Sequence, residues 1–149
     1  MGDQRLCFVQ NLCSNGDIEG VQAAIDNGAD VNEGDFLGTT GLMLALVRSH
    51  NNVVQVLLNH PQIDINKVSR NEWCALHYAV FGDNHEVLAA LLARQDLTTI
   101  NQRSDYGLTP IMEAIDYNAV NCFKLLLAHP EVDLDTRDYY QRGPEEVRR

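Results

Sequence analysis

Long hydrophobic runs are missing from this chain. No stretch of about 18 apolar residues occurs, so no helix is expected to span a membrane. The opening "MGDQRLCFVQ" has no basic region followed by an apolar one, and it does not read as a secretory leader. Gly2 is not followed by the Ser or Thr that a myristoylation signal needs at the sixth position. Cysteine is sparse: Cys7, Cys13, Cys74 and Cys122 form no CxxC and no metal-ligand spacing. They read as reduced thiols of an intracellular, cytoplasmic or nuclear protein. Positive charge is also short, with 11 Lys and Arg against 21 Asp and Glu and a net charge of −10. A phosphate backbone is repelled by such a chain, so no nucleic-acid partner is expected.

Catalytic and cofactor signatures are absent too. No GxGxxG, GxxxxGK[ST] or HExxH occurs, and His50, His60, His85 and His129 are scattered. Cys74 and His77 stand three residues apart, the spacing at which helical side chains meet, and a thiol–imidazole pair can be nucleophilic. No third orienting residue accompanies them, and the structural reading is preferred. No catalytic residue, metal ligand or cofactor is expected.

What is present is a repeat. "HPQIDIN" (60–66) and "HPEVDLD" (129–135) have weaker relatives in "NGADVN", which ends at Asn32, and "LTTIN", which ends at Asn101. From Asn32 through Asn66 and Asn101 to Asp135 the steps are 34, 35 and 34 residues, the regime of stacked repeat architectures. Ahead of each ending lies an apolar helical stretch: "VQAAI", "VQVLL", "LAALL" and "FKLLL". Three of these follow a second such stretch with a small residue inside it: "LMLALV", "LHYAVF" and "IMEAID". Short breakers separate the two, with Gly16, Ser49, Asp83 and Asn118 at the turn, where φ is positive; Ser49 suits it least. Each unit reads as helix, tight turn, helix and extended excursion.

"GLTPIMEA" (107–114), "CALHYA" (74–79), "GTTGLMLA" (38–45) and "NGADVN" make the chain resemble the ankyrin repeat family. The resemblance implies an all-α repeat solenoid of helix-turn-helix units joined by β-hairpin fingers. One domain is expected over 1–149, with repeats at 3–34, 35–68, 69–103 and 104–137 and a stub or cap at 138–149. Thr109 is expected to cap its helix, with Pro110 at the first helical position. Cys74 is a weaker cap, so repeats two and three are expected to be less regular than repeat four. Ala45, Ala79 and Ala114 allow close helix approach. His60–Pro61 and His129–Pro130 end helices. Ile63, Ile65, Val132 and Leu134 are expected to tuck against neighbouring units. His77 takes the position at which the family's imidazole braces the loop.

The resemblance also implies a non-catalytic module that binds proteins on its concave face. Counted from the Thr of TPLH, the partner-facing positions fall on Phe36, Leu37, Thr39, Val47 and Arg48 in repeat two. In repeat three they are Arg70, Asn71, Trp73, Phe81 and Gly82, and in repeat four Asp105, Tyr106, Leu108, Asp116 and Tyr117. The stub adds Tyr139, Tyr140 and Arg142. Seven of the aromatic residues share this face, leaving Phe8, Tyr78 and Phe123 elsewhere. Trp, Tyr, Phe and Arg are the residues of interface centres. The finger segments balance five acidic against five basic residues, so the negative excess belongs to the helical body. Asn66, with Leu58 eight residues earlier, resembles an asparagine-hydroxylation site of the family. The module is expected to be monomeric on its own. The alternative is the recognition part of a larger protein, and less favoured is a small-ligand site or an enzyme.

Overall fold

A computed structural model describes residues 8–146; the readings on Gly2 and Cys7 and the last three stub residues lie outside them. Among the described residues eight short helices follow one another: α1 (Phe8–Asn15), α2 (Ile18–Asp26), α3 (Gly41–Val47), α4 (Asn51–Leu58), α5 (Ala75–Phe81), α6 (His85–Leu92), α7 (Pro110–Asp116) and α8 (Val120–Leu127). They pair α1 with α2, α3 with α4, α5 with α6 and α7 with α8. The first helices of the pairs form an inner row, α1 on α3 on α5 on α7, and α2 meets α4 as α6 meets α8.

Helices of seven to nine residues are marginal alone, so their stability comes from the apolar stripe that each buries. Leu42, Leu46, Leu57, Leu76, Leu88, Leu91 and Leu126 are sealed in one continuous core. Ala45, Ala79 and Ala114 are at most 1% exposed and let the rows close up. Ser49, Asp83 and Asn118 all hold positive φ (58°, 48° and 56°) at the tight turns, as Gly16 does.

The expected order of regularity is corrected. α3, α5 and α7 each run seven residues. In α3 the Thr40 hydroxyl accepts from the Met43 N–H at 3.3 Å. In α5 the backbone N–H of Cys74 donates to Nδ1 of His77 at 3.1 Å, closing the turn from the other direction. Thr109 makes no capping bond, and its buried hydroxyl has no partner among the described residues. The third residue of α7 is Met112, whose thioether offers at best a weak acceptor. Pro110, with its φ preset for a helix, opens α7 instead.

The fingers repeat as faithfully as the helices. Asp35, Ser69, Ser104 and Asp138 each donate a backbone N–H across the finger, to the carbonyls of Thr39, Trp73, Leu108 and Arg142. The left-handed residue of each finger is Gly38, Glu72, Gly107 and Gln141 in turn. Arg70 N–H donates to Leu37 O and Asp105 N–H to Asn71 O, stitching finger to finger.

A ladder of asparagines explains the duplicated heptapeptide. Nδ2 of Asn32, Asn66 and Asn101 donates to the carbonyls of Gln62, Asp96 and Glu131 one repeat on. Their Oδ1 atoms accept from the N–H groups of Asp64, Thr98 and Asp133. His60 and His129 accept the N–H two residues ahead on Nδ1, shaping the same bend twice. Ile63 and Ile65 are buried and Val132 packs on the core. Leu134 departs from expectation at 47% exposed, because no further helix pair covers it among the described residues.

Candidate functional interface

Trp73, Tyr78, Phe81 and Tyr117 are brought together in ring contact, and the other finger aromatics stand open to solvent. Phe36, Tyr106, Tyr139 and Tyr140 are exposed on the fingers, and Phe81 and Tyr117 on the helix flank, at 51% and 44%. Leu37, Arg48 and Arg70 are exposed as well, and Val47 is half-buried. Phe81 and Tyr117 meet edge to face at 5.2 Å between centroids, joining α5 to α7 across the repeat boundary. Trp73 reaches Phe81 at 5.8 Å and Tyr78 at 5.2 Å, so Tyr78, placed outside this face by the sequence register, belongs to its rim.

Two expectations on this face are corrected. Leu108 is 8% exposed, packed with Met112 and Ile115 beneath its finger. Its carbonyl accepts from Ser104 N–H and faces Nε2 of His77, which turns the side chain inward. Thr39, one repeat-pair earlier in the same register, is buried too. Gly82 is half-buried, and a Cβ there would come within 2.9 Å of the Leu46 carbonyl oxygen, so the glycine serves close packing. Trp73 is half-buried, shielded by its ring neighbours.

Tyr139 and Tyr140 are held by cations. The Arg103 guanidinium lies 5.1 Å from the Tyr139 ring centre and donates to the Arg137 carbonyl at 2.8 Å. Arg142 lies 5.3 Å from the Tyr140 ring and pairs with buried Asp138 at 2.7 Å. Those contacts order the last finger.

Between Trp73, Tyr106, Tyr117 and Tyr140 the chain leaves a cavity of about 240 Å³. Leu108 and Arg142 complete its wall, and two acids line it, Glu113 and Asp116. Glu113 was not anticipated, although an acid inside the apolar run "IMEAI" was a signal. It is 2% exposed. Burial pushes its carboxyl up to about 7; the charges of Asp116 and Asp105 add to this, and a hydrogen bond from Ser104 opposes it. The neutral balance read along the fingers therefore fails beneath them, where α7 contributes both carboxylates.

Cys74 and His77 do not form a reactive pair. Sγ and Nδ1 are 3.2 Å apart, but both residues are fully buried. Burial pushes the thiol up and the imidazole down to about 4, which keeps both neutral. Cys13 and Cys122 thiols are pushed up to about 12 by burial. Asn66, the hydroxylation candidate, spends both ends of its amide on the next connector, and Leu58 is buried.

A family model described as ankyrin repeats (3 copies) matches residues 9–101 and 63–138. The chain is 31% identical over 101 residues to the target of rapamycin complex 2 subunit AVO2 of Saccharomyces cerevisiae, covering 67% of itself and 23% of that protein. It is 29% identical over 125 residues to YahD of Escherichia coli, whose name marks it as an ankyrin repeat protein, covering 83% of itself and 60% of YahD. It is 30% identical over 114 residues to the human transient receptor potential cation channel subfamily A member 1, covering 76% of itself and 10% of the channel. The chain thus spans less than two thirds of each of these relatives.

Proposed function

Since this chain belongs to the ankyrin repeat family, we propose that it is a non-catalytic adaptor, scaffold or inhibitor that binds a protein segment along its finger and inner-helix face. The observation that carries the reading is the continuous ring surface from Trp73 through Phe81 to Tyr117, flanked by exposed Tyr106 and Tyr140. Rings left open while aliphatic residues fill the core favour association over packing. Ankyrin repeats generally mediate protein–protein contacts, and one relative is named as a complex subunit. Cytoplasmic or nuclear residence and a monomeric state accompany this reading. So does hydroxylation of Asn66, for which the connector must first open.

The test is affinity capture from the source cell with wild type and a Tyr106→Ala/Tyr140→Ala variant. Both side chains are more than half exposed, so the helical circular dichroism is expected to persist while capture is lost. Unchanged capture by the variant moves the binding face elsewhere.

A further inference from the structure

A protein interface can be satisfied by apolar contacts alone, yet the cavity behind Tyr106 carries a second kind of chemistry. Four rings line it, those of Trp73, Tyr106, Tyr117 and Tyr140. An aromatic face is negative at its centre and attracts a cation, most strongly when water is excluded. Two acids, Glu113 and Asp116, line the same cavity. Arg142, the cation on the wall, is engaged by the buried carboxylate of Asp138 at 2.7 Å and leans on Tyr140.

Glu113 is the decisive group. It is 98% buried, yet the charges acting on it, Asp116 and Asp105, are both negative. A buried acid normally has a cation beside it or a structural duty. Here its described partner is the Ser104 hydroxyl, and burial, with the two neighbouring acids, holds its carboxyl up at about 7. A positive group entering the cavity would supply that compensation. The chain's net charge of −10 would draw such a group in from a distance.

Resting on the protein-binding reading above, we infer that this cavity takes the ammonium end of a lysine side chain from the bound segment. The four methylenes lie along the rings of Trp73, Tyr106 and Tyr140, and the ammonium donates to Glu113 and Asp116. A compact head with three N–H donors can bond two carboxylates on adjacent turns of one helix at once. The segment passes over the second, third and terminal fingers, with its lysine pointing down between them.

The single tryptophan of the chain reports directly on occupancy. Short glycine–serine peptides with one central lysine, norleucine, arginine or glutamate are titrated while Trp73 emission is followed. The lysine peptide is expected to give a saturable change, with norleucine about tenfold weaker and glutamate weaker still. In a Glu113→Gln/Asp116→Asn variant with unchanged circular dichroism, the lysine preference is expected to vanish. No saturable response to lysine, equal response to norleucine, or a preference for arginine overturns the assignment. Capture that still depends on Tyr106 and Tyr140 would then leave the binding face intact without its lysine. Lysine binding with capture unaffected by those tyrosines would instead refute the face.

Discussion

Nε2 of His77 stands 3.0 Å from the carbonyl oxygen of Leu108, 31 residues further along the chain. Nδ1 accepts from Cys74 N–H, so the second nitrogen carries the proton and donates to that carbonyl. One neutral imidazole thus closes its own helix and holds the next finger. Protonation would leave the Nε2–H bond to Leu108 in place but would take away the Nδ1 lone pair that accepts from Cys74.

Acid should therefore loosen the stack through His77. Its folded value is pushed down from 6.5 to about 4 by burial. The unfolded chain binds the extra proton first, so this stability is complete above about pH 6.5 and is lost as pH falls toward 4. The loss is on the order of 3 kcal/mol from a shift of that size. Urea melts between pH 7.5 and 4.5 should show it in wild type and much less of it in His77→Asn, which starts less stable.

Glu113 acts with the opposite sign. Its folded value is raised from 4.5 to about 7, so its contribution is present below pH 4.5 and is lost as pH rises through 7. Glu113→Gln is expected to melt higher than wild type at pH 8 and to show no such advantage at pH 5. An equal difference at both pH values refutes the burial argument.

Glu72 should be replaceable with gain. It holds φ +59° at the finger position that Gly38 and Gly107 occupy in the neighbouring repeats. The left-handed region costs a side chain roughly 1–2 kcal/mol, and glycine gives back part of that in unfolded-state entropy. Glu72→Gly is expected to raise the unfolding free energy by up to about 1 kcal/mol, read from the denaturation midpoint.

Gly82 should tolerate nothing larger. An added Cβ meets backbone, the Leu46 oxygen at 2.9 Å and the Val47 oxygen at 3.1 Å, neither of which can swing aside. Gly82→Ala is expected to cost about 1–3 kcal/mol, the range for overpacked sites. A thermal midpoint equal to wild type would show that α3 and α5 can separate freely.

The asparagine ladder makes a graded prediction. Asn66→Ala removes Nδ2 and Oδ1 contacts to Asp96, Thr98 and Thr99 at once. A loss of about 1–3 kcal/mol is expected, with faster proteolysis between 60 and 70. Asn101→Ala, which removes two such bonds, should cost somewhat less.

The period, the helix pairs and the tight turns could be read from residues alone. They follow from rules that act within a few positions: the 3.6-residue spacing of leucines, an alanine where helices approach, a residue tolerant of positive φ at each turn. Asp83 and Asn118 sit where that reasoning put them, and so does Ser49, despite its poorer fit. The role of His77 was legible too, because its position in the repeat carries it.

Exposure on the fingers was decided elsewhere. Trp73 and Leu108 share one register, yet the indole stays half open and the leucine is sealed. Whether a finger side chain meets water depends on the neighbouring repeat stacked against it, which no local pattern encodes. Glu113 makes the same point with more force. The sequence set an acid in an apolar helix, and only the closing of the terminal finger over α7 turned it into the floor of a cavity, because burial is a property of surfaces brought together from distant parts of the chain.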